Sequence, residues 1–85
     1  MKKEYYNRVE YKNEKGSFHR LDGPAIEDND YRSWWINGKR HREDGPAIEW
    51  YDGDKWWYLN DTRYFSEQEY QNELIKLKLE RLINI

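Results

Sequence analysis

Short runs of alternating apolar and polar residues occupy the first three quarters of the chain. Runs rich in Trp, Tyr and Ile are separated by turn dipeptides such as Asn37-Gly38 and Asp52-Gly53, a pattern typical of strands joined by hairpin turns. The pattern predicts strands near residues 5–11, 24–28, 32–36, 46–51 and 55–59, and a short one at 62–64. Because tight turns join consecutive strands, we expect an antiparallel meander.

The periodicity changes to that of a helix after Phe65. Ser66 and Glu69 have the spacing of a capping box, and Phe65 is placed to pack on Tyr70 as a hydrophobic staple. We therefore expect a helix that begins at Glu67 and runs to about Ile83, within a C-terminal segment of residues 66–84.

The apolar residues of this helix form two stripes on nearly opposite sides. The first stripe contains Tyr70, Leu74 and Leu77, and the second contains Ile75, Leu79, Leu82 and Ile83. A single small sheet covers only one stripe. The other is expected to contact a partner chain or the other face of a bent sheet, and a homodimer is the commonest partner arrangement for a small chain.

An internal repeat organises the sheet region. The nine residues from His19 to Glu27 recur from His41 to Glu49 with eight identities, at an offset of 22 residues. The segment Trp34 to His41 recurs more loosely from Trp57, at an offset of 23. The chain thus predicts one α+β domain over residues 1–85, mostly β, in which about 2.5 hairpin units of 22 residues (residues 5–64) are capped by one C-terminal helix.

Composition narrows the class of protein. The chain has 85 residues, no cysteine and a formal net charge of -2, so disulfides are excluded and any nucleic-acid site must be local. Aromatic residues make up 18% of the sequence, enough to build a thin core from large rings. Without a signal-like or membrane-spanning apolar run, we expect a cytoplasmic protein, in the host cytoplasm if a phage encodes it.

The two Asp-Gly-Pro segments are expected to be structural turns. Each Asp follows an Arg by two residues, which allows a charge-assisted hydrogen bond across the turn. The turn residues are Asp22, Gly23, Pro24, Asp44, Gly45 and Pro46, together with Asn37 and Gly38 in the hairpin.

His19 and His41 occupy equivalent positions, two strand spacings or roughly 10 Å apart. This separation is too large for one metal ion, so no metal or cofactor is predicted. A structural role is favoured over acid-base catalysis and over ligand contact. The sequence also lacks a phosphate-binding loop, a His-Glu-x-x-His segment and a nucleophile elbow, so we do not expect an enzyme.

An aromatic and basic face is the main candidate binding site. Its predicted members are Trp34, Trp35, Trp56, Trp57, Tyr58, Arg32, Lys39, Arg40, Arg42 and Lys55. Neighbouring rings point to opposite sides of a strand, so one side can pack beneath the helix while the other stays open. The open side could grip a protein, stack single-stranded RNA, or consist of rings that pack only on each other.

The segment from Trp34 to Trp56 resembles the membrane occupation and recognition nexus (MORN) repeat, a β-hairpin with Asn-Gly-Lys and Asp-Gly turns. His-Arg-x-Asp-Gly-Pro-Ala replaces the usual His-Gly-x-Gly, as in the variant repeat of small bacterial and bacteriophage proteins. The resemblance covers roughly residues 9–64. It implies a non-enzymatic scaffold for protein contacts, and we expect a phage-type accessory protein that binds and inhibits a host protein, such as a defence factor or toxin. RNA binding, alone or together with a protein target, is the alternative, and lipid association ranks third.

Overall fold

The computed structural model describes residues 7–83 and confirms a mostly antiparallel α+β fold. Eight short strands precede one helix in this range. They are β1 (Val9–Glu10), β2 (Ile26–Glu27), β3 (Tyr31–Ser33), β4 (Trp35–Ile36), β5 (Lys39–Arg40), β6 (Ile48–Trp50), β7 (Lys55–Leu59), β8 (Thr62–Tyr64) and α1 (Glu67–Ile83).

Six of these strands form one antiparallel sheet in the order β1-β2-β3-β6-β7-β8. The other two, β4 and β5, pair with each other as a separate hairpin inserted between β3 and β6. The sheet is therefore a meander in which one hairpin leaves the sheet and returns.

The predicted strand 32–36 is wrong in one respect, because it is divided at Trp34. The Trp34 N–H donates to the Ala47 carbonyl on the β6 side, whereas the Trp34 carbonyl accepts from the His41 N–H of the hairpin. The backbone thus exchanges one partner for another at this residue. Strand β5, which alternation did not predict, is the second arm of the hairpin.

The other strand predictions differ mainly at their ends. Strands β7 and β8 have the predicted bounds, while β2 and β6 are shorter than predicted. Residues 5 and 6 of the predicted strand 5–11 lie outside the described range, and within residues 7–11 only Val9–Glu10 is strand. Asn84, the last residue of the predicted helical segment, also lies outside it.

The hairpin turns have the backbone that the sequence predicts. Asn37 and Gly38 have φ angles of 50° and 82°, the left-handed values of a type I′ turn. The equivalent turn in the next unit, Asn60-Asp61, has φ angles of 50° and 70° without a glycine. Both units therefore use the same turn type.

Two small clusters make up most of the core, and Ala25 and Ile26 are buried outside them. Ala47, Ile48 and Tyr58 are buried together, with Tyr31, Trp50 and Trp56 packed against them. Leu59, Tyr70 and Leu74 form the second cluster, with Trp57, Tyr64 and Leu77 around them. The first helical stripe thus packs on the sheet as predicted, and aromatic rings supply much of the thin core.

The start of the helix confirms Ser66 as the N-cap, but the reciprocal bond from Glu69 reaches Phe65 rather than Ser66, and the staple is absent. Ser66 Oγ accepts the Glu69 N–H at 3.1 Å, and Glu69 Oε1 accepts the Phe65 N–H at 3.3 Å. Phe65 is 76% exposed, however, while Tyr70 is fully buried. Phe65 lies instead against the Arg63 guanidinium, 4.6 Å from its ring centroid.

Candidate binding surfaces

The Asp-Gly-Pro turns are closed by arginine side chains, as predicted. Arg20 Nε donates to Asp22 at 3.0 Å, and its Nη1 donates to the Pro24 carbonyl at 3.2 Å. The second unit repeats both bonds, at 2.8 and 3.1 Å, with Arg42, Asp44 and Pro46. An added Cβ at either intervening glycine would lie within 3 Å of the arginine Cζ, so the arginine would have to shift away from its bonds across the turn.

The two histidines have structural roles that link neighbouring units. His19 Nδ1 accepts the N–H of Asn37, and His41 Nδ1 accepts the N–H of Asn60, both at 2.9 Å. Because Nδ1 accepts a backbone hydrogen bond, the neutral ring carries its proton on Nε2. Each histidine thereby holds the positive-φ turn of the following hairpin. Within residues 7–83, no group of three or more His, Cys, Asp or Glu side chains could hold a metal ion.

A second set of contacts ties the helix to the second unit. Glu43 accepts from His41 Nε2 at 2.7 Å and pairs with the Arg81 guanidinium of α1. The hydrogen bonds from Arg81, helped by His41, lower the pKa of Glu43 to about 2. Tyr70, also on α1, donates its hydroxyl to the Arg42 carbonyl at 2.6 Å. Sequence reasoning missed this tether.

The strand register divides side chains between the two faces of the sheet. Directly paired residues share a face, so Tyr31 lies beside Trp50, Ile48 beside Trp56, and Tyr58 beside Arg63. The opposite face carries Trp57, Leu59 and Tyr64 beneath the helix. Farther along that face, Arg32 pairs with Glu49 at 2.9 Å.

A continuous row of rings and one guanidinium crosses the face opposite the helix. We call it the aromatic row, and it consists of Tyr31, Trp50, Trp56, Arg63 and Phe65. Ring centroids are 5.0 Å apart for Tyr31–Trp50 and 5.5 Å for Trp50–Trp56, both edge-on. The Arg63 guanidinium lies 3.9 Å from the Trp56 centroid, between Trp56 and Phe65. The buried Trp50 Nε1 has no hydrogen-bond partner among the described residues.

The predicted ten-residue face is not one surface, because only its Trp56 belongs to the aromatic row. Trp57 lies against Tyr70 beneath the helix, and Tyr58 is only 4% exposed. Trp34 lies between β3 and β4, outside the six-stranded sheet, and Trp35 lies in the separate β4–β5 hairpin. Alternation along one strand therefore does not relate either ring to the other rings.

The cations predicted for this face are mostly engaged by carboxylates. Arg32 pairs with Glu49, Arg40 with Asp61, and Arg42 with Asp44 and Glu49. Arg42 also stacks on Trp34, with 3.8 Å between the guanidinium and the ring centroid. Lys39 and Lys55 are exposed on different strands. The charges on these arginines are thus largely neutralised within the chain.

A groove of about 920 Å³ lies between the two Asp-Gly-Pro turns and the C-terminal half of the helix. Its apolar lining comes from Leu21, Trp34 and Ile36, and Lys78 and Arg81 line it from the helix. Leu21 is 81% exposed. We call this site the groove. The sequence pattern did not indicate it.

The second helical stripe is exposed, as the two-stripe pattern requires. The exposed fractions are 55% for Ile75, 52% for Leu79, 67% for Leu82 and 78% for Ile83. We call these four residues the outer stripe.

No protein family, curated protein or solved structure matches the chain. No helix within the described residues has the length and apolar character needed to cross a bilayer.

Proposed function

We propose that this chain is a non-enzymatic module that binds a protein partner through the aromatic row. The observation that carries the proposal is the row itself, a line of Trp, Tyr and Arg side chains on the face that the helix does not cover. These three residue types are enriched among the residues that dominate the energy of protein interfaces. Phe65, at 76% exposure, extends the row with an accessible ring.

The rigidity of the row supports this use. Edge-on ring contacts and the guanidinium stack fix these side chains before any partner arrives, which lowers the entropy lost on binding.

The finer part of the proposal comes from the sequence resemblance. If the units are MORN-like repeats of the small phage type, the partner is a host protein that the module inhibits, such as a defence factor or toxin. RNA has less support as a partner, because the arginines beside the predicted face are held in ion pairs. The row itself contributes only one guanidinium.

Affinity capture from the native host tests the proposal when it is combined with a variant at the end of the row, where Phe65 is exposed and Arg63 is half-buried. Arg63→Ser with Phe65→Ser removes the guanidinium and the exposed ring but leaves both buried clusters unchanged. We expect the parent protein to retain one host protein whether or not ribonuclease is added, and the variant to lose it. A matched control, Lys39→Ser with Lys76→Ser, should capture normally.

A titration with fluorescent single-stranded RNA distinguishes RNA binding, the alternative function, from protein binding. RNA binding would fall with salt at a log-log slope of about -0.7 per phosphate contacted. An anisotropy increase at about 50 µM protein and low salt, together with capture that ribonuclease abolishes, would overturn the protein-binding proposal in favour of RNA. Capture by the double-serine variant at the parent level would show that the row is not the binding surface.

A further inference from the structure

The helix covers the second repeat unit at a definite set of residues. Tyr70 lies on Trp57 with 4.8 Å between ring centroids, and Leu74 packs with Leu59 in the same cluster. The Tyr70 hydroxyl closes the contact on the Arg42 carbonyl. A surface made of a tryptophan, an aliphatic residue and a turn arginine therefore accepts one face of an amphipathic helix.

The same surface recurs one unit earlier and forms the groove. Trp34 and Ile36 are the repeat equivalents of Trp57 and Leu59, at an offset of 23 residues, and Arg20 is the equivalent of Arg42, at an offset of 22. All three line the groove. The chain's own helix does not cover this copy, because its C-terminal half forms only one wall of the groove, through Lys78 and Arg81.

The position that corresponds to Glu43 is Leu21 in the first unit. Glu43 binds the chain's own helix through Arg81, whereas Leu21 is 81% exposed at the groove. An exposed leucine in place of a helix-binding carboxylate makes the first-unit surface more apolar than its equivalent.

The helix also has an uncovered apolar surface, the outer stripe. Lys78, which lines the groove, lies on the helix beside Ile75 and Leu82 at 100° per residue. The outer stripe and the groove are therefore neighbouring parts of one surface, and a single two-fold axis can bring the stripe of one copy onto the groove of another.

We propose that the protein forms a two-fold homodimer in which the outer stripe of each copy occupies the groove of the other. The repeat favours a helix as this occupant, because the equivalent surface of the second unit already accepts one face of α1. The carboxylates that line the groove, those of Asp22, Glu43 and Asp44, are paired with its own arginines, so the contact is chiefly apolar. The interface is independent of the aromatic row, which lies on the other face of the sheet from the helix.

Sedimentation of the full chain over a range of concentrations tests the dimer. We expect the parent protein to be dimeric at about 100 µM, a concentration suited to a weak dimer constant. Leu79→Glu with Ile83→Glu, in the stripe, and Leu21→Lys, in the groove, should each raise the dissociation constant more than about tenfold. Phe65→Glu, which places a charge at an exposed apolar residue of the aromatic row, should remain dimeric.

Mixing the two defective variants distinguishes this arrangement from a stripe-to-stripe dimer. The Leu21→Lys variant keeps an intact stripe and the double-Glu variant keeps an intact groove, so the mixture should form a heterodimer with one intact contact. Its second contact places introduced glutamates beside an introduced lysine. Urea midpoints of the separate variants check that each is folded. A monomeric parent protein, a dimeric Leu21→Lys variant, or a mixture of folded variants that stays monomeric would each overturn the proposal.

Discussion

Leu21 and Glu43 occupy the same position of the repeat but have different surroundings. Glu43 holds Arg81 of the helix and accepts from His41, whereas Leu21 is exposed at the groove. The other eight residues of the nine-residue segment are identical. The single difference between the two copies therefore marks which unit the helix binds.

The side-chain roles that sequence predicted best were those that depend on neighbours within a few residues. The Arg20–Asp22 and Arg42–Asp44 bonds are of this kind, because each pair closes its own turn. The aromatic row was not predicted, because its members come from four separate segments of the chain. Their adjacency depends on strand register, which local pattern does not determine.

Gly38→Val is the first prediction at this scale. Gly38 has a φ of 82°, which a β-branched residue adopts only with strain, and an added Cβ would lie 3.3 Å from Ser17 Cβ. We expect the free energy of unfolding to fall by more than about 1 kcal/mol, measured from urea melts.

Gly38→Asp is its matched control. Asp61 occupies the equivalent position with a φ of 70°, so an aspartate is compatible with this turn. Its loss of stability should be clearly smaller than that of the valine variant. Equal midpoints for the valine variant and the parent protein would contradict the assigned turn geometry.

At the scale of elements, the sequence was most informative where one pattern determines one structure. Strands β7 and β8 and the start of α1 lie at the predicted residues, because alternation and capping are local signals. The prediction of one continuous strand over residues 32–36 was wrong, because the two halves of this segment pair with different strands. Its first half pairs with β2 and β6, whereas its second half pairs with β5.

The attachment of α1 provides a prediction about pH. Arg81, with His41, lowers the folded-state pKa of Glu43 from 4.5 to about 2. A carboxylate whose pKa is lowered by folding stabilises the fold above its unfolded pKa, and this contribution disappears as pH falls through the folded pKa. Glu43→Gln should therefore lower the free energy of unfolding at neutral pH, by about 1 kcal/mol.

The difference between the parent protein and Glu43→Gln should shrink between about pH 4.5 and pH 2, as followed by urea melts at several pH values. Glu73→Gln is a suitable control, because the ion pair that Glu73 makes with Lys76 is long, at 3.8 Å, and joins two residues of the helix itself. A stability difference for Glu43→Gln that stays constant over this pH range would show that the tether does not depend on the carboxylate charge.

At the scale of the whole molecule, the chain is an elongated stack of units with extents of 55 × 31 × 17 Å. Both buried clusters draw on strand β7, and the helix adds to only one of them. Among the described residues, the first strand, Val9–Glu10, is an exposed edge that pairs with β2 alone. In such an arrangement stability is a sum of terms between neighbouring units, so it need not be uniform along the stack.

Native-state hydrogen exchange should reveal this gradient. We expect the amides of β7 and α1 to exchange only through large openings, because they lie in or beside the clusters around Tyr58 and Leu59. Amides of β1 and the Lys12–Phe18 bridge should exchange faster, since few buried apolar contacts hold this end.

Leu74→Val, which removes one buried methylene, should cost about 1 kcal/mol and speed exchange in β7 and β8. Amides of β1 should keep their rates, because they open locally. Equal protection from β1 to α1, or equal acceleration everywhere in the variant, would mean that the units unfold as one cooperative body and that the repeat has no independent ends.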